Sequence, residues 1–324
     1  MSRRVLEIVA WCALLGAPLC ASAQAVAPAT TSATAFKAPQ ATKAPLLAVT
    51  HAGPRLVAVG DYGVVVLSDD GGQTWRQAKS VATQSMLSAV TFLDPQRGFV
   101  VGHGGTILQT QDGGETWTRN FSAGADVVLL SVWFGDADHG IAVGAFGFAL
   151  ATNDGGRTWK EFTVGEGDDR DRHLNAIFAL PTGAIFIAAE AGTVFRSGDG
   201  GRTWSTSHLP YNGSLWGGMA LGDGTPLVYG MRGHVLRSSD GGRNWVDVRT
   251  GTDQSLSGGV QLADGSIVLV GLGGAVATST DGGRSFTATI RPERQTLAGV
   301  GAGAPGQLVA VGLTGVTTLD VVTR

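Results

Sequence analysis

The sequence predicts an all-β protein, a seven-bladed β-propeller of four-stranded antiparallel blades, and three observations carry that prediction. An octapeptide recurs in phase at residues 68–75 (SDDGGQTW), 110–117 (TQDGGETW), 152–159 (TNDGGRTW), 197–204 (SGDGGRTW) and 238–245 (SSDGGRNW), and in degenerate form at 279–286 (STDGGRSF). Its central aspartates, Asp70, Asp112, Asp154, Asp199, Asp240 and Asp281, stand 42, 42, 45, 41 and 41 residues apart. A period of that size means a propeller blade or a helical repeat. Strand chemistry decides between them. Each box follows two short β-rich runs, such as GFVVG at 98–102 and TILQT at 106–110, parted by a glycine-bounded pair that reads as a hairpin turn. Beyond residue 23 no segment carries convincing helical periodicity, and 50 glycines in 324 residues supply the many tight turns such a fold needs.

The first 23 residues read as a secretory signal peptide. Ser2-Arg3-Arg4 gives a basic start, the apolar run through Cys20 is interrupted by Glu7 and Pro18, and Ala21-Ser22-Ala23 supplies a cleavage site. The run is too short and broken for a good membrane span. Cleavage after Ala23 is expected over lipidation at Cys20, because Pro18 and Leu19 stand where a lipoprotein site prefers small residues. Both cysteines, Cys12 and Cys20, fall in this segment, so the mature chain has no thiol chemistry and no disulfide. An exported domain without disulfides must be held by core burial. The expected location is the periplasm, or a compartment like the thylakoid lumen.

Residues 24–44 form a leader, and 45–324 the propeller. First strands are expected to begin near Leu46, Leu87, Leu129, Leu174, Leu215, Leu256 and Leu297, one per blade. The last unit has a second strand at 307–311 and a third at 316–319 but no box. An open last blade would expose a sheet edge. Residues 34–41 are therefore expected to supply its outer strand, closing the ring by pairing the N-terminal and C-terminal strands.

The octapeptide is the Asp-box. A carboxylate and a Ser/Thr hydroxyl can bond the turn backbone as Asx-turns do, while the paired glycines meet the positive-φ demand of the reversal. Trp75, Trp117, Trp159, Trp204 and Trp245 then place large apolar surfaces between neighbouring blades. The six aspartates are read as structural, neither catalytic nor calcium-binding.

On the opposite face the turns between second and third strands vary while the frame stays uniform, which marks a scaffold presenting a composite surface. Partner-binding candidates there are Tyr62, His103, Phe146, Glu190, Met231 and Arg232, since aromatic residues and arginine are enriched at contact centres. Among the connections between blades, 166–173 (EGDDRDRH) is the longest and most charged and explains the 45-residue spacing. Arg172, with Arg232, Arg291 and Arg294, is expected to form a basic patch at the channel mouth.

Chemistry is harder to find. The six histidines lack ligand spacing, and neither a nucleophile elbow nor a phosphate loop appears. GVGAGAPG at 299–306 lacks a following helix and reads as a turn between strands. A net charge of -3 argues against a nucleic-acid partner. No catalytic residue, cofactor or metal is assigned, and a single copy is expected. Sialidases share the Asp-box, but their Arg-Ile-Pro motif is absent here. The alternative of a carbohydrate-active glycoside hydrolase, sialidase-like or xyloglucanase-like, would need two facing carboxylates. Asp61 and Glu190 lie on the proper face but on blades one and four.

The chain from about residue 44 onward resembles the photosystem II assembly and stability factor family of seven-bladed propellers. The resemblance rests on a strand, V-G-x-x-G, a strand and T-x-D-G-G-x-T-W, seen at 101–117 and 143–159. It implies a non-catalytic factor of photosynthesis that docks on membrane-protein assembly intermediates through an arginine-rich area near the channel. That area is matched here to Arg232, with Arg172 or Arg291. A client in the envelope of a non-photosynthetic bacterium is the alternative to a photosystem.

Overall fold

The computed structural model describes residues 33–320; the signal segment, both cysteines and the start of the leader lie outside them. Seven sheets follow one another along the chain, each built on an antiparallel meander. Their first strands are Leu46–Ala52, Leu87–Phe92, Leu129–Phe134, Leu174–Ala179, Leu215–Ala220, Leu256–Gln261 and Leu297–Ala302, beginning at the seven leucines read from the sequence. Residues 299–302 of the Gly-rich stretch belong to the last of these strands, and the turn itself follows it.

A β-bulge interrupts every pairing of first and second strand at the same place, between the opening leucine and the residue two further on. Bulges bend a strand and re-aim its side chains. All seven leucines are thereby buried. Just ahead of each, a backbone carbonyl accepts the N–H that opens the next turn, as in Asp61 N–H to Pro45 O and Met231 N–H to Ser214 O. Second strands such as Gly98–Gly102 and Ile185–Ala189 are buried throughout. They read as unbroken apolar runs because both faces of the sheet meet a neighbouring blade.

The first blade ends in a fourth strand of only two residues, Arg76–Gln77. The chain then crosses to the second blade, where Ser80–Val81 pairs in parallel with Thr116–Ser122 and makes a five-stranded sheet. The middle four blades past it carry four strands each.

Ring closure departs from the sequence reading. The last blade has three strands among the described residues, Leu297–Ala302, Gln307–Gly312 and Gly315–Asp320, and residues 34–41 do not join it. Their hydrogen bonds go to the first two blades instead. Ala35 N–H donates to Val81 O at 2.9 Å and Gln84 Nε2 to Thr34 O at 2.9 Å. The Gln77 amide reaches Phe36 O at 2.7 Å and Ala38 N–H at 3.0 Å, doing for this stretch what a strand partner would do. Pro39 has no N–H to offer a ladder.

The ring closes by packing. Val311 and Val316 of the last blade meet Leu46, Ala58 and Val66 of the first. Ala304 N–H donates to Gly71 O at 2.9 Å, and His51 Nε2 lies 3.0 Å from Ala302 O. A short 3-10 turn, Ala41–Lys43, brings Thr42 O against Gly315, the place that connections between blades occupy elsewhere, such as Thr83 O against Gly63 and Thr252 O against Gly233.

Candidate functional site

The Asp-boxes and the upper turns occupy opposite ends of the blades, so their chemistry separates cleanly. In the second box Thr110 Oγ1 donates to Asp112 Oδ1 at 2.8 Å and accepts Gly114 N–H at 3.0 Å. Asp112 also accepts Thr116 N–H at 2.9 Å and the Thr116 hydroxyl at 2.7 Å. The same closed circuit recurs around Asp70, Asp154, Asp199, Asp240 and Asp281. Donors on every side favour the ionised carboxylate. The Thr74 hydroxyl foremost lowers Asp70 to about 2, and the Thr158 hydroxyl does the same for Asp154, also to about 2.

These turns also join blade to blade. Arg55, Arg196 and Arg237 donate to the box carbonyls of Gly113, Gly241 and Gly282 on the following blade, at 3.0, 3.1 and 2.9 Å. The second glycine of the fifth box, Gly242, has φ +86° and would drive any Cβ into the Phe186 ring of the preceding blade. Trp117 fills the junction of the first two blades beside Leu67, Val81 and Leu108. Three box tryptophans, Trp75, Trp117 and Trp204, donate to a carbonyl of their own box, whereas Trp159 donates to Asn120 Oδ1 at 2.9 Å on the second blade. Among the described residues no group of three or more His, Cys, Asp or Glu is placed to hold a metal. The aspartates are mortar.

The upper face is built from the turns between second and third strands, packed on the connections that enter the next blade. Each turn carries glycine at its last position, where a neighbouring backbone leaves no space for Cβ, as Arg170 O does at Gly147 and Tyr211 O at Gly192. In six of the seven turns the residue just before it also adopts positive φ, and two of these use glycine there, Gly104 and Gly273. Four others hold Tyr62 (φ 53°), Phe146 (φ 55°), Ala191 (φ 52°) and Arg232 (φ 55°) in the same left-handed region. That conformation costs a non-glycine residue about 1 kcal/mol, and here it projects large side chains outward. Phe146 is 75% exposed and Tyr62 66%.

Four of the sequence candidates come together. Arg172, Glu190, Met231 and Arg232 line one cleft of about 650 Å³ between the fourth and fifth blades, together with Tyr211 and His234. Its wall is ordered: the Tyr211 hydroxyl donates to Met231 O at 2.9 Å, and the Tyr211 and His234 rings lie 4.3 Å apart. Burial pushes the Tyr211 phenol up. Arg232 also borders a second cleft of about 790 Å³, with Arg249, Arg294, His234 and Asp247.

The single basic patch expected of Arg172, Arg232, Arg291 and Arg294 is divided. Arg172 pairs with Asp169 at 3.5 Å, and Arg291, largely covered, pairs with Glu293 at 3.5 Å. Arg291 borders neither cleft, and Arg294 takes its place beside Arg232. Tyr62 and His103 stand apart on the first two blades, with His103 N–H bound to Met86 O at 2.9 Å. Phe146 sits one blade before the first cleft, its ring edge-on to His173 at 4.6 Å. The acidic connection 166–173 holds a short 3-10 turn, Gly167–Asp171, and Asp169 also faces His208 at 3.2 Å.

Asp61 and Glu190 make no facing pair. Asp61 accepts Tyr62 N–H at 2.8 Å, and Glu190 accepts His173 N–H at 3.0 Å, each ordering backbone on its own blade's upper side. Glu190 lines the first cleft and Asp61 neither of the two upper clefts. Sequence reading passed over His234 and Arg249. The only signal for His234 was its place directly after the variable turn.

Fold and turn chemistry together define an Asp-box β-propeller with one structural end and one variable end. The family model described as "Photosynthesis system II assembly factor YCF48" matches residues 77–127 and 119–258, and the "BNR/Asp-box repeat" model matches 66–77. The first spans more than half of the chain, and the chain belongs to that family. No curated protein matches it. Among solved structures it is similar to "YCF48 bound to D1 peptide", with 19% identity, 90% of this chain and 97% of that chain covered, and a TM-score of 0.70. It is likewise similar to YCF48 from Cyanidioschyzon merolae, at 17% identity, 88% and 97% coverage and a TM-score of 0.67. The Niastella koreensis GH74 enzyme shares the fold over 87% of this chain and 53% of its own, at 16% identity and a TM-score of 0.68.

Proposed function

We propose that this chain is a non-catalytic assembly or accessory factor, working as a single exported copy in the periplasm or a lumen-like compartment. It docks on a membrane protein or envelope complex through its upper face. One observation carries the reading. Six large apolar side chains are exposed among the described residues: Phe36, Tyr62, Phe146, Val246, Ile290 and Leu313. Five of them lie on or beside the upper face: Tyr62, Phe146 and Leu313 stand on the upper turns, Ile290 borders the second upper cleft, and Phe36 flanks Ala35, which lies against the first upper turn at Gly63. Val246 directly follows the fifth Asp-box. Exposed apolar side chains gathered on one face mark an interaction surface. Two of them, Tyr62 and Phe146, are held in strained backbone where sibling turns use glycine, and such strain persists at functional positions. A similar protein solved with a bound peptide supports a polypeptide client.

Crosslinking capture from solubilised envelope tests this. The wild-type domain is expected to retain a partner, and Tyr62→Ala or Arg232→Glu to weaken its retention without moving the melting temperature. Retention by both variants equal to wild type refutes the surface. Turnover of a polysaccharide or sialoside that is abolished by Glu190→Gln would instead establish a hydrolase.

A further inference from the structure

We infer that His173 is a proton-sensitive latch on the exposed Phe146 turn, a regulation of the docking face that rests on the reading above. The Phe146 N–H donates to His173 Nδ1 at 2.9 Å, across 27 residues of chain. That bond requires a lone pair on Nδ1 and therefore an imidazole carrying its proton on Nε2. The following residue of the turn is seated on the same connection, while Ala145 N–H is bound to Val128 O. Gly147 N–H donates to Arg172 O at 2.9 Å, and the Phe146 ring lies edge-on to the imidazole at 4.6 Å and 87°.

Comparable turns fasten the same N–H differently. Arg232 N–H donates to Ser255 Oγ at 3.2 Å and Tyr62 N–H to Asp61 Oδ1 at 2.8 Å. A hydroxyl does not titrate, and a carboxylate stays an acceptor through the neutral range. On the third blade the acceptor is an imidazole nitrogen, which becomes a donor once it takes up a proton.

Protonation converts Nδ1 from acceptor to donor, leaving two N–H groups opposed at 2.9 Å. A new partner is at hand, because Glu190 Oε2 lies 3.9 Å from Nδ1 and already accepts the His173 N–H at 3.0 Å. Glu190 is the charged group facing His173 from the fourth blade. From the third blade the facing group is the uncharged Phe146 ring. Along its own connection Asp171 and Arg172 adjoin it. Acid thus transfers the imidazole from Phe146 to Glu190 and frees the Phe146 amide, whose residue is already strained at a φ of 55°. The anchor of Phe146, the most exposed aromatic side chain among the described residues, is released, and docking through it weakens in acid.

The test uses the free protein and no client. Hydrogen exchange at the Phe146 amide, corrected for the intrinsic pH effect, is expected to accelerate at least about fivefold between pH 7.5 and pH 5, the worth of one net hydrogen bond. In His173→Asn the side-chain oxygen replaces Nδ1 without titrating, and protection should not vary over that interval. Constant protection in the wild type, or wild-type pH dependence in His173→Asn, overturns the latch. Because client capture is no part of this readout, the latch and the docking reading fail separately.

Discussion

Two tryptophans at the same position of the same motif should have very different worth. Trp117 is 1% exposed and wedged between the first two blades, among Leu67, Val81, Leu87, Val100 and Leu108 and edge-on to Phe92 at 5.9 Å. Trp204 is only half-buried and stacks on Phe162 at 6.4 Å. Both donate Nε1–H to a carbonyl of their own box, at 3.0 and 3.1 Å, so that term cancels in the comparison. A fully buried indole removes roughly 200 Å² from water, which at about 25 cal/mol per Å² gives some 5 kcal/mol as an upper bound. Measured truncations of buried aromatic residues cost about 3–5 kcal/mol, cavity included. Trp117→Ala should therefore cost about 4 kcal/mol and Trp204→Ala about half as much. For a domain of this size the melting temperature should fall by about 6–7 °C and about 3 °C respectively. Urea midpoints read by far-UV circular dichroism give the same ranking independently of the heating rate. Equal losses, or a larger loss at Trp204, would refute the assignment of the Trp117 indole as the interblade wedge.

Two further outcomes follow from the two ends of the blades. Asp70 and Asp154 are held at about 2, below the ordinary 3.8. Groups depressed in the folded state stabilise it above their unfolded value, and that stability is lost as pH falls through the folded one. Melting temperature should thus decline steeply between about pH 4 and pH 2; Asp70→Asn should start lower at pH 6 and lose less on acidification, and an undiminished acid loss in that variant contradicts the box circuit. On the upper face, Tyr62→Gly relieves a left-handed residue, so calorimetry should show stability held or raised by up to about 1 kcal/mol, whereas a clear loss would mean that Tyr62 is there for packing.

Much of the fold was legible because its signals are local. A glycine pair, an aspartate two residues after a hydroxyl and an alternating apolar run each act within about ten residues, and they fix strand, turn and strand order wherever they recur. That is why the seven first strands could be located near their opening leucines. Closure was not legible in this way. Residues 34–38 spend their backbone groups on Gln77, Val81 and Gln84, 39 to 50 residues away, and no pattern within the leader encodes that choice. The upper face divides along the same line. Tyr62 and Phe146 announce themselves as bulky residues where a turn prefers glycine. That Arg294 borders the same cleft as Arg232 is set by how two connections lie together, whereas Arg291 pairs with Glu293 two residues away.

The sequence by itself determined the blade, its repeat and which end of it could vary, since each follows from short-range backbone chemistry. Tertiary structure alone decided which variable residues meet. Arg232 borders two clefts and Phe146 finds His173 because interblade packing rotates each sheet against the next, placing side chains from different repeats within a few ångströms. Contacts of that kind depend on the curvature of the whole ring, a property that no single repeat contains.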